Sequence, residues 1–220
     1  MILKSFGCSY IFGAEMPDDG RGGPRATPSR LTWPALLAED LGLEYECYAR
    51  SGSGNLQIAE QVLNHLASTE PAVYVIGWTW PDRYDYKNHD QWETIRACDN
   101  TKFSDSFFIN YYSQYCNQLQ LLLNIKLVSD ILTAKKYPYI MTYMDNGHVF
   151  EVGTPAVTML QGMADQVLTR FDGQGFNVWC DLNRFPKGPG GHPLQEAHLA
   201  AAEYIKVLYK QSINDYLHPA

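Results

Sequence analysis

The chain has 220 residues, 45% of them hydrophobic and 19% charged, with a formal net charge of −7. A chain of this length suits one domain, residues 1–220, and its composition can bury a core, which excludes a disordered polymer. An acidic balance without a long basic run argues against a nucleic-acid partner, and no apolar stretch reaches the roughly 18 residues of a membrane span.

In chain order, Ile2 to Phe6 is an apolar run stopped by Gly7, which suits a buried strand ending in a tight turn. It does not read as a signal peptide, so a cytoplasmic location is expected, with association with a virion left open. Residues 13–30 are rich in Gly and Pro and carry Arg21, Arg25 and Arg30. Such a loop is either functional or simply a mobile surface segment. Thr32 can cap a helix from Trp33 to Leu41, with Pro34 in its first turn and Gly42 as its stop. Glu44 to Ala49 reads as the second strand. A turn of small residues follows, Ser51-Gly52-Ser53-Gly54-Asn55, and then a helix from Leu56 to Ala67.

Ala72 to Ile76 is the clearest strand, ended by Gly77. Segment 78–109 is irregular and aromatic, and a long helix is expected over 110–135. Tyr137 to Tyr143 reads as a fourth strand and 155–170 as a helix. Phe176 to Cys180 reads as a fifth strand, and residues 193–216 as a closing helix. Strands that alternate with helices imply a parallel sheet covered on both faces, with ligands outside the carboxyl ends of the strands.

The residues just after the strands therefore matter most. They are Gly7-Cys8-Ser9, Gly52-Ser53-Gly54-Asn55, and Gly77-Trp78-Thr79 with Arg83. Gly191-His192-Pro193 stands before the last helix. A hydroxyl nucleophile needs an adjacent base and donors aimed at the developing oxyanion, and these segments could supply one of each.

Taken in that order, the four segments resemble the SGNH (GDSL-type) hydrolases, and the Gly-Cys-Ser variant resembles a divergent branch found among phage and bacterial proteins. The resemblance implies a three-layer α/β fold with a five-stranded parallel sheet in the order 2-1-3-4-5. It implies an ester hydrolase, an esterase or carbohydrate deacylase, that needs no cofactor and forms an acyl-enzyme on a small-molecule or carbohydrate ester. The nucleophile falls on Ser9, an oxyanion glycine on Gly52 and the base on His192.

This sequence departs from the family pattern at three places. Cys8 stands where the family has Asp, Thr79 where it has the oxyanion Asn, and Pro189 where it has the Asp that orients the histidine. Asn55 is a candidate replacement donor, with Thr79 adding a hydroxyl. For the acid, either Asp181 reaches His192 or a backbone carbonyl holds the ring, and the loop between them favours the carbonyl.

The residues also admit plainer readings. Gly7 and Ser9 suit an ordinary tight turn, and His192 a loop surface. His198 reads as a packing or surface residue, and His65, His89, His148 and His218 show no pairing. Trp78, Trp80 and Arg83 could line a pocket that takes a sugar or an acidic group. Equally, the tryptophans could be core and Arg83 a structural ion pair. Two rival functions follow. One is a silent binding module of the same fold, and the other a thiol enzyme using Cys8. The five cysteines form no CxxC pair, so neither a zinc site nor a disulfide framework is expected.

Overall fold

The structure is a computed structural model that describes residues 1–20, 26–67, 70–145 and 153–217. Arg21, Arg25, His148 and His218 lie outside the described residues. Its core is a parallel sheet of β1 (Ile2–Gly7), β2 (Glu44–Cys47), β3 (Ala72–Trp78), a strand at Tyr139–Tyr143 and a two-residue strand at Leu168–Thr169. A separate antiparallel hairpin, β4 (Tyr84–Asn88) and β5 (Gln91–Ile95), follows β3. With Tyr139–Tyr143 as β6 and Leu168–Thr169 as β7, the sheet order is β2-β1-β3-β6-β7. This is the expected three-layer arrangement.

Every residue of β1 and β3 is buried, because helices cover both faces. The period of two sorts the side chains. Leu3, Val73 and Val75 pack on α2 (Trp33–Asp40) and α8 (Gln195–Leu217). Phe6, Tyr74, Ile76 and Trp78 face the opposite layer of α3 (Asn55–Leu66), α5 (Gln114–Ala134) and α6 (Pro155–Val167). A four-residue helix, α1 (Ser9–Phe12), directly follows β1.

Three expectations change. Segment 78–109, expected to be irregular, holds the β4–β5 hairpin and nearly all of a helix. The helix expected over 110–135 is preceded by a second one, α4 (Lys102–Asn110), and starts afresh at Gln114. Ser113 takes the Cys116 N–H on its hydroxyl and caps the new start. The segment from Phe176 is not a strand but α7 (Phe176–Leu182). It buries Phe176, Trp179 and Cys180, one side of a helical turn at spacings of three and four. The fifth strand is instead Leu168–Thr169, paired with Met141 and Thr142.

At the carboxyl end of the sheet, Gly7 and Gly77 stand side by side in register. A methyl group on Gly7 would come within 2.6 Å of the Ile11 side chain, and one on Gly77 within 2.5 Å. The paired glycines thus let α1 settle directly on the strand ends, which places Ser9 at the edge where ligands bind in such sheets.

Candidate active site

Ser9 is the first residue of α1, with Cys8 in extended conformation before it. Among the described residues, neither its Oγ nor its backbone N–H has a hydrogen-bond partner. Cys8 is fully buried in the core packed by α2 and α8, so its thiol does not reach the surface that Ser9 edges. The thiol-enzyme reading loses its support on that ground.

After α1 the chain reverses through Gly13 and Glu15, and Glu15 adopts a left-handed backbone (φ 71°). The Glu15 N–H donates to Asp19 at 2.7 Å, which fixes the turn. The Glu15 carboxylate meets the 188–192 loop from the far end of the chain. Its Oε2 lies 2.8 Å from His192 Nδ1, its Oε1 accepts the Gly190 N–H at 2.7 Å, and the His192 N–H adds a longer bond at 3.3 Å. A Cβ on Gly188 would stand 2.6 Å from this carboxylate and one on Gly190 3.0 Å, so the loop wraps the acid because these positions are bare. Burial alone would raise the Glu15 pKa, but the His192 ring and the two N–H donors outweigh it and lower it.

The carboxylate that meets the His192 ring is therefore that of Glu15. The carbonyl-held imidazole favoured by the sequence is corrected, and so is the Asp181 alternative. Asp181 lies in α7 and pairs with Lys187 at 2.5 Å. Lys187 also donates to Asn177, whose Oδ1 accepts the Tyr10 hydroxyl at 2.9 Å. Asp181 thus pairs at the Lys187 end of this network and makes no hydrogen bond to the imidazole among the described residues.

Tyr10, next to Ser9, ties the Ser9 segment to the histidine loop. Its ring centroid lies 5.3 Å from that of His192, and its hydroxyl approaches the Gly191 carbonyl at 3.4 Å. Trp80 packs edge-on against Tyr10 and donates its indole N–H to Asp145 at 2.9 Å. Arg83 lies over the Trp80 ring and donates to the Ser53 carbonyl at 2.9 Å. Arg83 therefore sits beside the site and braces the Gly52–Ser53 loop. Trp78 does not. It is fully buried on the α3 face of β3, so its role as a pocket wall is corrected to core.

Asn55 and Thr79 meet each other rather than an oxyanion. The Asn55 amide nitrogen donates to the Thr79 and Trp80 carbonyls at 3.0 and 3.2 Å, and its Oδ1 accepts the Thr79 N–H at 2.9 Å. Both amide hydrogens are engaged, and Thr79 is fully buried with its hydroxyl unpartnered among the described residues. Neither donates into the site; together they pin the turn after β3.

The start of α3 is also filled. Asp85, from β4, accepts the N–H groups of Gly54 and Gln57 at 2.9 Å each and the Thr94 hydroxyl at 2.6 Å. Burial raises its pKa, and the hydrogen bonds offset this only in part. Gly52 stays outside this lock, its N–H without an acceptor among the described residues.

Sequence reasoning missed Glu15, Tyr10, Asn177 and Asp85. Glu15 carried one signal, an acid inside the Gly- and Pro-rich loop after the serine. The others carried none without a fold.

No family model matches the chain, and no curated protein does. Solved structures are similar to it in fold. A Corynascus thermopiles carbohydrate esterase family 2 enzyme with a carbohydrate-binding domain superposes with a TM-score of 0.56 at 14% identity, covering 97% of this chain and 66% of that one. TesA superposes at 0.54 and 14% identity, covering 96% and 99%. The acetyl xylan esterase Est2A from Butyrivibrio proteoclasticus superposes at 0.53 and 13% identity, covering 97% of this chain. This chain spans 64% of the length of Est2A. On sheet order, layers and these superpositions, the chain has the α/β fold of the SGNH hydrolases.

Proposed function

We propose that the protein is a serine hydrolase that cleaves an ester of a small molecule or carbohydrate through an acyl-enzyme on Ser9. The observation that carries this reading is the His192–Glu15 pair, 2.8 Å long, on a loop that packs against Tyr10, the residue after Ser9. The fold shared with esterases adds support.

In this mechanism Ser9 Oγ attacks the ester carbonyl carbon while its proton passes to His192 Nε2. Glu15 holds Nδ1–H, fixes the tautomer and stabilises the imidazolium as it forms. The backbone N–H groups of Ser9 and Gly52 receive the oxyanion. His192 then protonates the departing alcohol. Water, deprotonated by His192, releases the acid and restores Ser9. Trp80 and Arg83 flank the opening and orient the leaving group.

One observation favours a second reading, a binding module of the same fold. The Asn55 amide is wholly engaged by backbone, so no side-chain donor is available to an oxyanion there. A fluorophosphonate probe separates the two. Covalent labelling mapped to Ser9 and abolished in Ser9→Ala is the expected result. Absence of labelling on the folded protein overturns the hydrolase and leaves the binding module.

A further inference from the structure

Gly52 borders an open cavity of about 170 Å³, set between the Gly52–Ser53 loop and the β4–β5 hairpin. At about 30 Å³ per water it has room for roughly five waters, enough for a carboxylate or phosphate group with its contacts. Its wall carries Arg50, Ser53, Gln57, Trp92 and Arg96. Arg50 is tied to the nucleophile strand, since its backbone N–H donates to the Gly7 carbonyl at 3.0 Å, two residues before Ser9.

Two guanidinium groups on one small cavity stand out in a chain of net charge −7. Arg50 makes one bond, from Nη1 to the Trp92 carbonyl at 3.2 Å, and no carboxylate lies within ion-pair distance of it among the described residues. Arg96 is turned by Asp99, which takes its Nε at 2.8 Å and its Nη2 at 2.6 Å. That leaves Arg96 Nη1 on the Gly52 side, where it would stand 3.4 Å from a Cβ at Gly52. Gln57 is buried, and its side-chain amide makes no hydrogen bond among the described residues. Asp85 faces the α3 N-terminus and is held there by its own donors, and Glu60, which accepts the Trp92 indole N–H, is paired with Lys87. The cavity therefore offers guanidinium and amide donors with one cation left uncompensated, the donor set that recognises a planar or tetrahedral oxyanion.

The geometry points to a subsite for an anionic substituent, a carboxylate or a phosphate, on the carbohydrate whose ester is cleaved at Ser9. This rests on the hydrolase reading for its purpose but not for its binding chemistry. The acid group would dock at Arg50 and Arg96 while the ester lies across Gly52 toward Ser9. Neutral sugars would lack that anchor.

Binding to Ser9→Ala protein, followed by NMR titration, tests the subsite without turnover. The probes are D-glucose, D-glucuronate and D-glucose 6-phosphate. The expected result is that one or both anionic sugars bind at least about tenfold more tightly than glucose, a difference of about 1.4 kcal/mol. Tighter binding of glucuronate identifies the carboxylate, and of glucose 6-phosphate the phosphate. The preference should shrink as salt rises from 0.05 to 0.5 M (about a Debye length effect). Arg50→Gln, at an exposed position, should remove most of it while the folded NMR spectrum is kept. Equal binding of all three sugars overturns the subsite, as does a preference unchanged in both Arg50→Gln and Arg96→Gln. Failure of fluorophosphonate labelling would remove the hydrolase and leave this binding result standing.

Discussion

Glu15 and His192, 177 positions apart, are joined by a 2.8 Å contact between a carboxylate oxygen and Nδ1. In the proposed mechanism the orienting acid comes from beside Ser9 rather than from beside the histidine, so Pro189 can stand where an aspartate is expected. Glu15→Gln should lower kcat by a factor approaching ten-thousand, the loss seen when a triad acid is replaced by its amide. Asp181→Asn should change kcat less than about threefold, since it touches Lys187 and not the ring. Steady-state hydrolysis of p-nitrophenyl acetate checks both, and a larger loss in Asp181→Asn would refute the assignment of the acid.

Ser9 and His192 should behave as one unit. Ser9→Ala and His192→Ala should each lower kcat by at least about a thousandfold, and the double variant should be no slower than either single one. Additive losses in the three proteins would show that the two side chains do not share a step.

Asn55→Ala should harm stability more than chemistry. It removes three hydrogen bonds and strands the Thr79 N–H in a buried turn. The expected cost is at least about 3 kcal/mol, roughly 1 kcal/mol for each of the three lost bonds, with the penalty of an unsatisfied buried donor on top. Urea unfolding measures it. A variant of native stability with a hundredfold lower kcat would restore Asn55 as an oxyanion donor.

His198 supplies a pH dependence. It is buried, its Nδ1 accepts the Trp33 N–H at 3.2 Å, and burial pushes its pKa down to about 3. The unfolded chain takes up a proton below about pH 6.5, while the folded chain keeps His198 neutral. Its contribution is therefore complete above about 6.5 and declines as pH falls toward 3, by up to about 1.4 kcal/mol per pH unit. His198→Asn keeps an acceptor for Trp33 and removes this titration. The urea midpoint of the native protein should be lower at pH 5 than at pH 7, and the difference should be smaller in the variant. Equal pH slopes in the two proteins would contradict a buried neutral imidazole.

Much of the sheet was legible because β1 and β3 are apolar runs that stop at, or run just past, a glycine, and parallel strands buried on both faces read that way. Leu168–Thr169 was not, since two residues carry no period. Phe176 to Cys180 misled because its aromatic and β-branched residues have strand propensity, while Phe176, Trp179 and Cys180 follow a helical spacing within a stretch too short to weigh. For the site, Ser9, Gly52 and His192 stood out as turn residues after strands or before a helix. Glu15 did not, because its partner lies at the other end of the chain and only the folded turn at Gly13–Glu15 brings them together. Asn55 misled for a related reason. A polar side chain at a helix start can face a ligand or a neighbouring turn, and local sequence does not distinguish the two.

The position of Glu15 has a further consequence for how the protein comes into being. Nucleophile and acid lie within seven residues of each other, while the imidazole arrives with the 188–192 loop. On this reading a growing chain carries Ser9 and its carboxylate without a base until the 188–192 loop has been made. Esterase competence then appears in one step, when residues 188–192 have left the ribosome and their loop closes around Glu15.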